Sequence, residues 1–224
     1  MGLTQSPVKA GDATGAWVIV LVKDLDQAKQ RLGDVLDARA RRALARRNAE
    51  RAIRAAAAGD HRLVVGGSVE VKEIAKRLGV EAVIERRQQG QNVAAKLGIA
   101  HALKGNARAV LILSSDLPLV TPKSVKEMLE VAGRVAPPAV VAAPAIGRGG
   151  TNALYLNPPN AISLHFGADS LPAFREEAEA KGVNFAVHKS DAIALDLDEP
   201  EDLERARLAG LTRRKRASGR RLID

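Results

Sequence analysis

Ala109-Val110-Leu111-Ile112-Leu113-Ser114-Ser115-Asp116-Leu117-Pro118-Leu119 is the stretch on which the fold turns. Five apolar residues in a row read as a strand buried on both faces. The chain then becomes small and polar and meets a proline, so Asp116 stands at the carboxyl end of a central strand. In open α/β sheets that edge is where ligands bind. A carboxylate there is suited to a hard cation, and a cation there to a phosphate. The alternative is an Asp that merely starts the turn before a helix near Thr121-Pro122.

Strand and helix patterns alternate on both sides of this stretch. Ala16 to Val22, Arg62 to Val65 and Glu81 to Ile84 read as strands, as do Ala139 to Ala143, Ala153 to Leu156, Val183 to Val187 and Ile193 to Leu195. Leu36 to Ala58 and Asn92 to Leu103 read as helices. Ser68 and Thr121-Pro122 open two more, by side-chain capping and by proline at the first helical position. Asp169 or Ser170 starts another, and Pro200 to Leu208 closes the domain. This order predicts one α/β domain over 16–210, with a mostly parallel sheet flanked by helices. A flexible segment over 1–15 and a basic, disordered tail over 211–224 are expected on either side.

The chain has 224 residues, no cysteine and four histidines, His61, His101, His165 and His188, without metal-ligand spacing. Zinc-thiolate and iron–sulfur sites are therefore excluded. No apolar run reaches transmembrane length and no signal pattern opens the chain, so a cytoplasmic protein without a membrane partner is expected. The net charge is +9. Much of it lies in Arg213, Arg214, Lys215, Arg216, Arg220 and Arg221, opposed in that tail only by Asp224. A nucleic-acid partner is disfavoured, because one Trp, one Tyr and three Phe supply few stacking platforms. Oligomeric state is left open, a homodimer included.

Four loops after strands carry candidate chemistry. In the first, Lys23, Lys29 and Arg31 could converge on phosphates, or form a solvated charged loop; no Gly-rich phosphate fingerprint is present. In Arg86-Arg87-Gln88-Gln89-Gly90-Gln91-Asn92, side-chain amides such as that of Asn92 suit a nucleobase edge, and Gly90 permits close backbone approach. In the third, Arg148 offers a guanidinium fork and Thr151 a hydroxyl, among three glycines. Gly167 and Ser170 follow at a helix start, a natural anion site. In the fourth, Asp196 and Asp198 are read as pointing to opposite faces. At most one, Asp196, then joins Asp116 on a cation, and Asp198 caps the helix at Pro200. Turns and ordinary caps remain the alternatives for the last two loops.

These motifs occur in a familiar order: Lys29-Gln30-Arg31-Leu32, Ser114-Ser115-Asp116-Leu117-Pro118, Gly149-Gly150-Thr151-Asn152-Ala153-Leu154, Phe166-Gly167-Ala168-Asp169-Ser170 and Asp196-Leu197-Asp198-Glu199-Pro200-Glu201-Asp202-Leu203. Over about Trp17 to Leu208 the chain resembles the CofC/FbiD guanylyltransferases of deazaflavin coenzyme F-420 biosynthesis. The resemblance implies a nucleotidyltransferase domain of the glycosyltransferase-A-like type. It implies a reaction joining GMP from GTP to phosphoenolpyruvate, 2-phospho-L-lactate or 3-phospho-D-glycerate, with release of pyrophosphate. By the same resemblance Asp116 and Asp196 would hold Mg2+. Thr151, Gly167 and Ser170 would hold the phosphorylated acid, and Lys23, Lys29 and Arg31 would face the triphosphate. The family's Gly-Leu-Asn near the base stands here as Gly90-Gln91-Asn92. The competing readings are another acceptor, such as a sugar phosphate or the molybdenum cofactor, and a nucleic-acid-binding module driven by the tail.

Overall fold

The computed structural model describes residues 15–26, 29–147 and 149–219, with 210–219 as backbone alone. The expected flexible segment over 1–15 lies, but for Gly15, outside the described residues, as do Arg148 and 220–224.

Seven strands form one sheet: β1 (Ala16–Val22), β2 (His61–Gly66), β3 (Glu81–Ile84), β4 (Ala109–Ser114), β5 (Ala139–Pro144), β6 (Thr151–Asn157) and β7 (Asn184–Val187). Their order is β3-β2-β1-β4-β6-β5-β7. β1 pairs in parallel with β2 and β4, β2 with β3, and β5 with β7. β6 runs antiparallel to both β4 and β5. The connection over 145–150 is too short for a crossover, so β5 and β6 must turn back on each other. The reversal matters for the site. It brings Thr151, at the start of β6, to the same sheet edge as the carboxyl ends of β1, β4 and β5.

Among the described residues, seven α-helices accompany the sheet: α1 (Ala38–Ala55), α2 (Val69–Arg77), α3 (Gln91–Lys104), α4 (Pro122–Ala132), α5 (Ser170–Ala180), α6 (Asp191–Ala194) and α7 (Pro200–Gly219). Alternate residues of a strand face opposite ways, and β1 divides the core accordingly. Val18, Val20 and Val22 join one cluster with Ile53 of α1, Ile74 of α2 and Met128 of α4. Trp17, Ile19 and Leu21 join the other with Ala95 of α3 and Phe174 of α5. A Cβ on Gly98 of α3 would stand 2.6 Å from Ile19 Cγ2. The missing side chain therefore lets α3 lie close on β1 and sets its first turn at the ligand edge.

Local caps form as their chemistry dictates. Ser68 accepts from the Val71 N–H, and Thr121 and Ser124 exchange reciprocal bonds at the start of α4. Two elements differ from the sequence pattern. Ile193 and Ala194 belong to the short α6 rather than a strand, because their carbonyls accept from the Asn152 side chain and, at Ala194, the Ile146 N–H. The closing helix continues past Leu208, so the backbone over 211–219 is helical where a disordered tail is expected. Among the described residues, no helix is long and apolar enough to cross a membrane.

Candidate functional site

Asp116 lies two residues beyond the end of β4, and the loop before α7 packs against it: the Leu197 N–H donates to the Asp116 carbonyl at 3.2 Å. Asp116, Asp196 and Asp198 thereby present carboxylate oxygens that all lie within 4.8 Å of one another. This corrects the expectation that Asp196 and Asp198 diverge. Residues two apart on an extended chain share a face, and it is the intervening Leu197 that turns into the core, 2% exposed. At the start of α7, Asp202 reaches back toward this loop. Its Oδ2 accepts from the N–H groups of Asp198 at 3.1 Å and Glu199 at 2.9 Å.

Lys29, left-handed at φ 63°, sends its ammonium into this cluster. Nζ donates to Asp116 Oδ2 and Asp198 Oδ1, each at 3.0 Å, from a side chain only 5% exposed. Burial opposes its charge, but the two carboxylates outweigh burial and raise its pKa. Lys29 bridges two of the three carboxylates, and an all-oxygen donor set suits a hard divalent cation. Arg31 is exposed and meets Glu199 only at 3.5 Å.

Two clefts adjoin the cluster. One, of about 260 Å³, runs between the end of β1 and the start of α3 and is lined by Leu21, Glu85, Gln88, Gly90 and Ala94 among others. The second, of about 310 Å³, contains Lys29, Arg31 and Asp198. Both share Lys23, Ser115 and Asp116. The sequence-derived base readers are largely engaged elsewhere. Gln88 donates to the Val22 carbonyl at 3.3 Å and accepts from the Asp24 N–H at 3.0 Å, tying down the loop after β1. Gln91 donates to Ser114 Oγ at 3.3 Å. Asn92 does not line the first cleft. Both ends of its amide meet the Phe166 backbone, at 3.0 and 2.8 Å. It is a strut between α3 and the loop before α5. Gly90, at φ 94° with open space where a Cβ would sit, does line the cleft.

On the other side of Asp116, Ser170 Oγ donates to Thr151 Oγ1 at 3.1 Å, and both residues are buried. Gly167, at φ 149°, has no atom within 4 Å of a Cβ position, so its backbone stands open before the amides of α5. Glu177 of α5 holds the loop in front: it accepts from the Ser163 N–H at 3.0 Å, pairs with Lys181 at 2.6 Å and contacts His165. Burial opposes the Glu177 charge, yet these donors outweigh it and hold the carboxyl at about 2, below its ordinary 4.5. A depressed carboxyl contributes stability above its unfolded pKa and loses it as pH falls through the folded one. Thermal unfolding should therefore lose midpoint between about pH 4.5 and 2. Glu177→Gln should flatten that part of the profile.

Asn152 and Asp202, both buried, escaped the sequence reading. Asn152 donates to the carbonyls of Ile193 and Ala194 at 2.9 and 3.1 Å and so sets the chain that carries Asp196. The legible signal for Asp202 was its place three residues after Glu199, where a side chain can reach back to the helix start.

A nucleotidyl transferase from Methanothermobacter superposes with a TM-score of 0.65 at 16% identity, covering 90% of this chain and 99% of that one. The family model described as "Guanylyl transferase CofC like" matches residues 16–222, and the chain belongs to that family. It is 40% identical, over 87% of its length and 94% of the relative's, to a phosphoenolpyruvate guanylyltransferase of Rubrobacter xylanophilus. A 3-phospho-D-glycerate guanylyltransferase of Colwellia psychrerythraea is 30% identical over 84% of this chain and 89% of its own. A 2-phospho-L-lactate guanylyltransferase of Methanocaldococcus vulcanius is 28% identical over 83% and 81%.

Proposed function

We propose that this chain transfers GMP from GTP to a three-carbon phosphorylated acid, releasing pyrophosphate, in deazaflavin coenzyme F-420 biosynthesis. Phosphoenolpyruvate is the first candidate acceptor, on the strength of the 40%-identical relative. The observation that carries the reading is the convergence of Asp116, Asp196 and Asp198 between two clefts and the buried Thr151–Ser170 pair.

Charge dictates the mechanism. An oxygen of the acceptor phosphate attacks the α-phosphorus of GTP, and the bond to the bridging oxygen of the β-phosphate breaks. A magnesium ion held by Asp116, Asp196 and Asp198 would neutralise phosphate charge on this edge. Lys23 and Arg31, in the second cleft, stabilise the charge that gathers on departing pyrophosphate. Lys29 keeps the carboxylates together. Thr151, Ser170 and the open backbone at Gly167 orient the acceptor. Its phosphate is already ionised near neutral pH, with a second pKa of about 6, so no general base is required. Catalysis is then positioning and electrostatics.

Thr151→Ala and Ser170→Ala should raise the KM for the acid about tenfold or more while moving that for GTP little, since a hydrogen bond to a charged group is worth about 1.5–3 kcal/mol. Lys23→Ala and Arg31→Ala should show the opposite pattern. Steady-state kinetics with each substrate varied in turn separates the two. The reading itself is tested by the mass of the product. GTP with the acid should give the acid–GMP phosphoanhydride. An adduct with a sugar phosphate, and none with the acids, would overturn it.

A further inference from the structure

Glu85 lies one residue beyond β3, at the carboxyl edge of the sheet, and its N–H donates to the Gly66 carbonyl at 2.9 Å. That bond fixes the residue in register with the end of β2. The residue is only 5% exposed, it lines the first cleft, and its Oε1 is buried without a hydrogen-bond partner. Burial raises its pKa, with no compensating donor to lower it. Native interiors leave few such groups unsatisfied, because an unpaired buried carboxylate is costly. A ligand with two adjacent donors would remove the cost.

The surroundings narrow that ligand. Leu21, Val22 and Ala94 provide apolar walls suited to a flat ring. The amides of Gln88 and Gln91 are already bonded within the protein. The cleft opens through Lys23, Ser115 and Asp116 into the second cleft, so a base held beside Glu85 directs its phosphates toward the carboxylate cluster.

We propose that Glu85 is the residue that selects guanine, its carboxylate accepting from the ring N1–H and the 2-amino group. This inference rests on the nucleotide reading above and deepens it. Guanine alone among the common bases presents two adjacent donors on that edge. Adenine places a lone pair at N1, cytosine a lone pair at N3, and uracil a single N–H between two carbonyls. The carboxylate that pairs with guanine therefore repels the others, and a site built around such bonds rejects a base that lacks them.

The test compares GTP with ITP, which lacks only the 2-amino group, in the wild type and in Glu85→Gln. The wild type should favour GTP over ITP by about tenfold or more in kcat/KM, the worth of one charge-assisted bond. In Glu85→Gln the GTP value should fall steeply and the ratio collapse to about threefold or less, because a neutral amide turns a donor toward a donor. KM for the acid should not move. The unfolding midpoint without nucleotide should hold or rise, whereas a purely structural Glu85 would lower it. Equal use of GTP and ITP by the wild type, or an unchanged ratio in the variant, overturns the proposal. Dissociation constants for GTP and ITP from calorimetry give the same ratio without turnover. An inactive wild type that still prefers GTP, with the preference lost in Glu85→Gln, would thus sink the acceptor assignment and leave Glu85 standing.

Discussion

Asp116→Asn is expected to reduce pyrophosphate release on the order of a thousandfold while the protein still folds, the scale of losing a preorganised charge at the reacting centre. Asp116 lines both clefts, belongs to the carboxylate cluster and bonds Lys29. Asparagine keeps its shape and the backbone carbonyl that receives the Leu197 N–H, but removes the charge. The unfolding midpoint should therefore move little while turnover collapses. Asp196→Asn should be similarly severe. Asp198→Asn should also act on turnover, since Asp198 lies in the cluster and Asp202 holds the helix start. Wild-type rates at saturating magnesium in Asp116→Asn would remove the cluster from the mechanism.

Lys29→Met should be the second large effect, and its sign depends on the metal. The ammonium bridges Asp116 and Asp198 from a nearly buried position. Breaking a buried pair costs about 3–5 kcal/mol. Asp198 is a third exposed, so solvent screening reduces the expected loss to about 2 kcal/mol or less. Without metal the variant should thus melt lower than the wild type. Magnesium should recover most of that loss, because the same carboxylates then meet a divalent ion instead of one another. Turnover should drop about a hundredfold through lost positioning. Melting curves with and without magnesium, beside kcat, check all three parts. A variant destabilised equally in both conditions would show that Lys29 acts by packing rather than by charge.

What could be read from the sequence was local. β1 and β4 declare themselves by unbroken apolar runs, and Ser68 and Thr121-Pro122 by cap chemistry that needs only neighbours along the chain. The place of Asp116 past the end of a central strand was legible from the apolar run before it. The rest depended on distant partners. The reversal of β6 follows from a connection length whose meaning appears only once both flanking strands are placed. α6 looked like a strand because Ile193 and Leu195 are apolar, yet its backbone is committed to Asn152, far away in sequence. Asn92 looked like a base reader until Phe166 took both ends of its amide. Nothing in the sequence singles out Glu85, one residue past a short strand. Its burial, with Oε1 lacking a hydrogen-bond partner, distinguishes it from surface glutamates.

The central claim is that this sheet edge joins GMP to a phosphorylated three-carbon acid. Pyrophosphate release from GTP, measured with phosphoenolpyruvate, 2-phospho-L-lactate and 3-phospho-D-glycerate each supplied alone, tests it most directly. The account predicts release that requires both magnesium and an acid, with phosphoenolpyruvate the strongest, and none from GTP by itself. Release that is the same with and without every acid, or that none of the three supports, would contradict it.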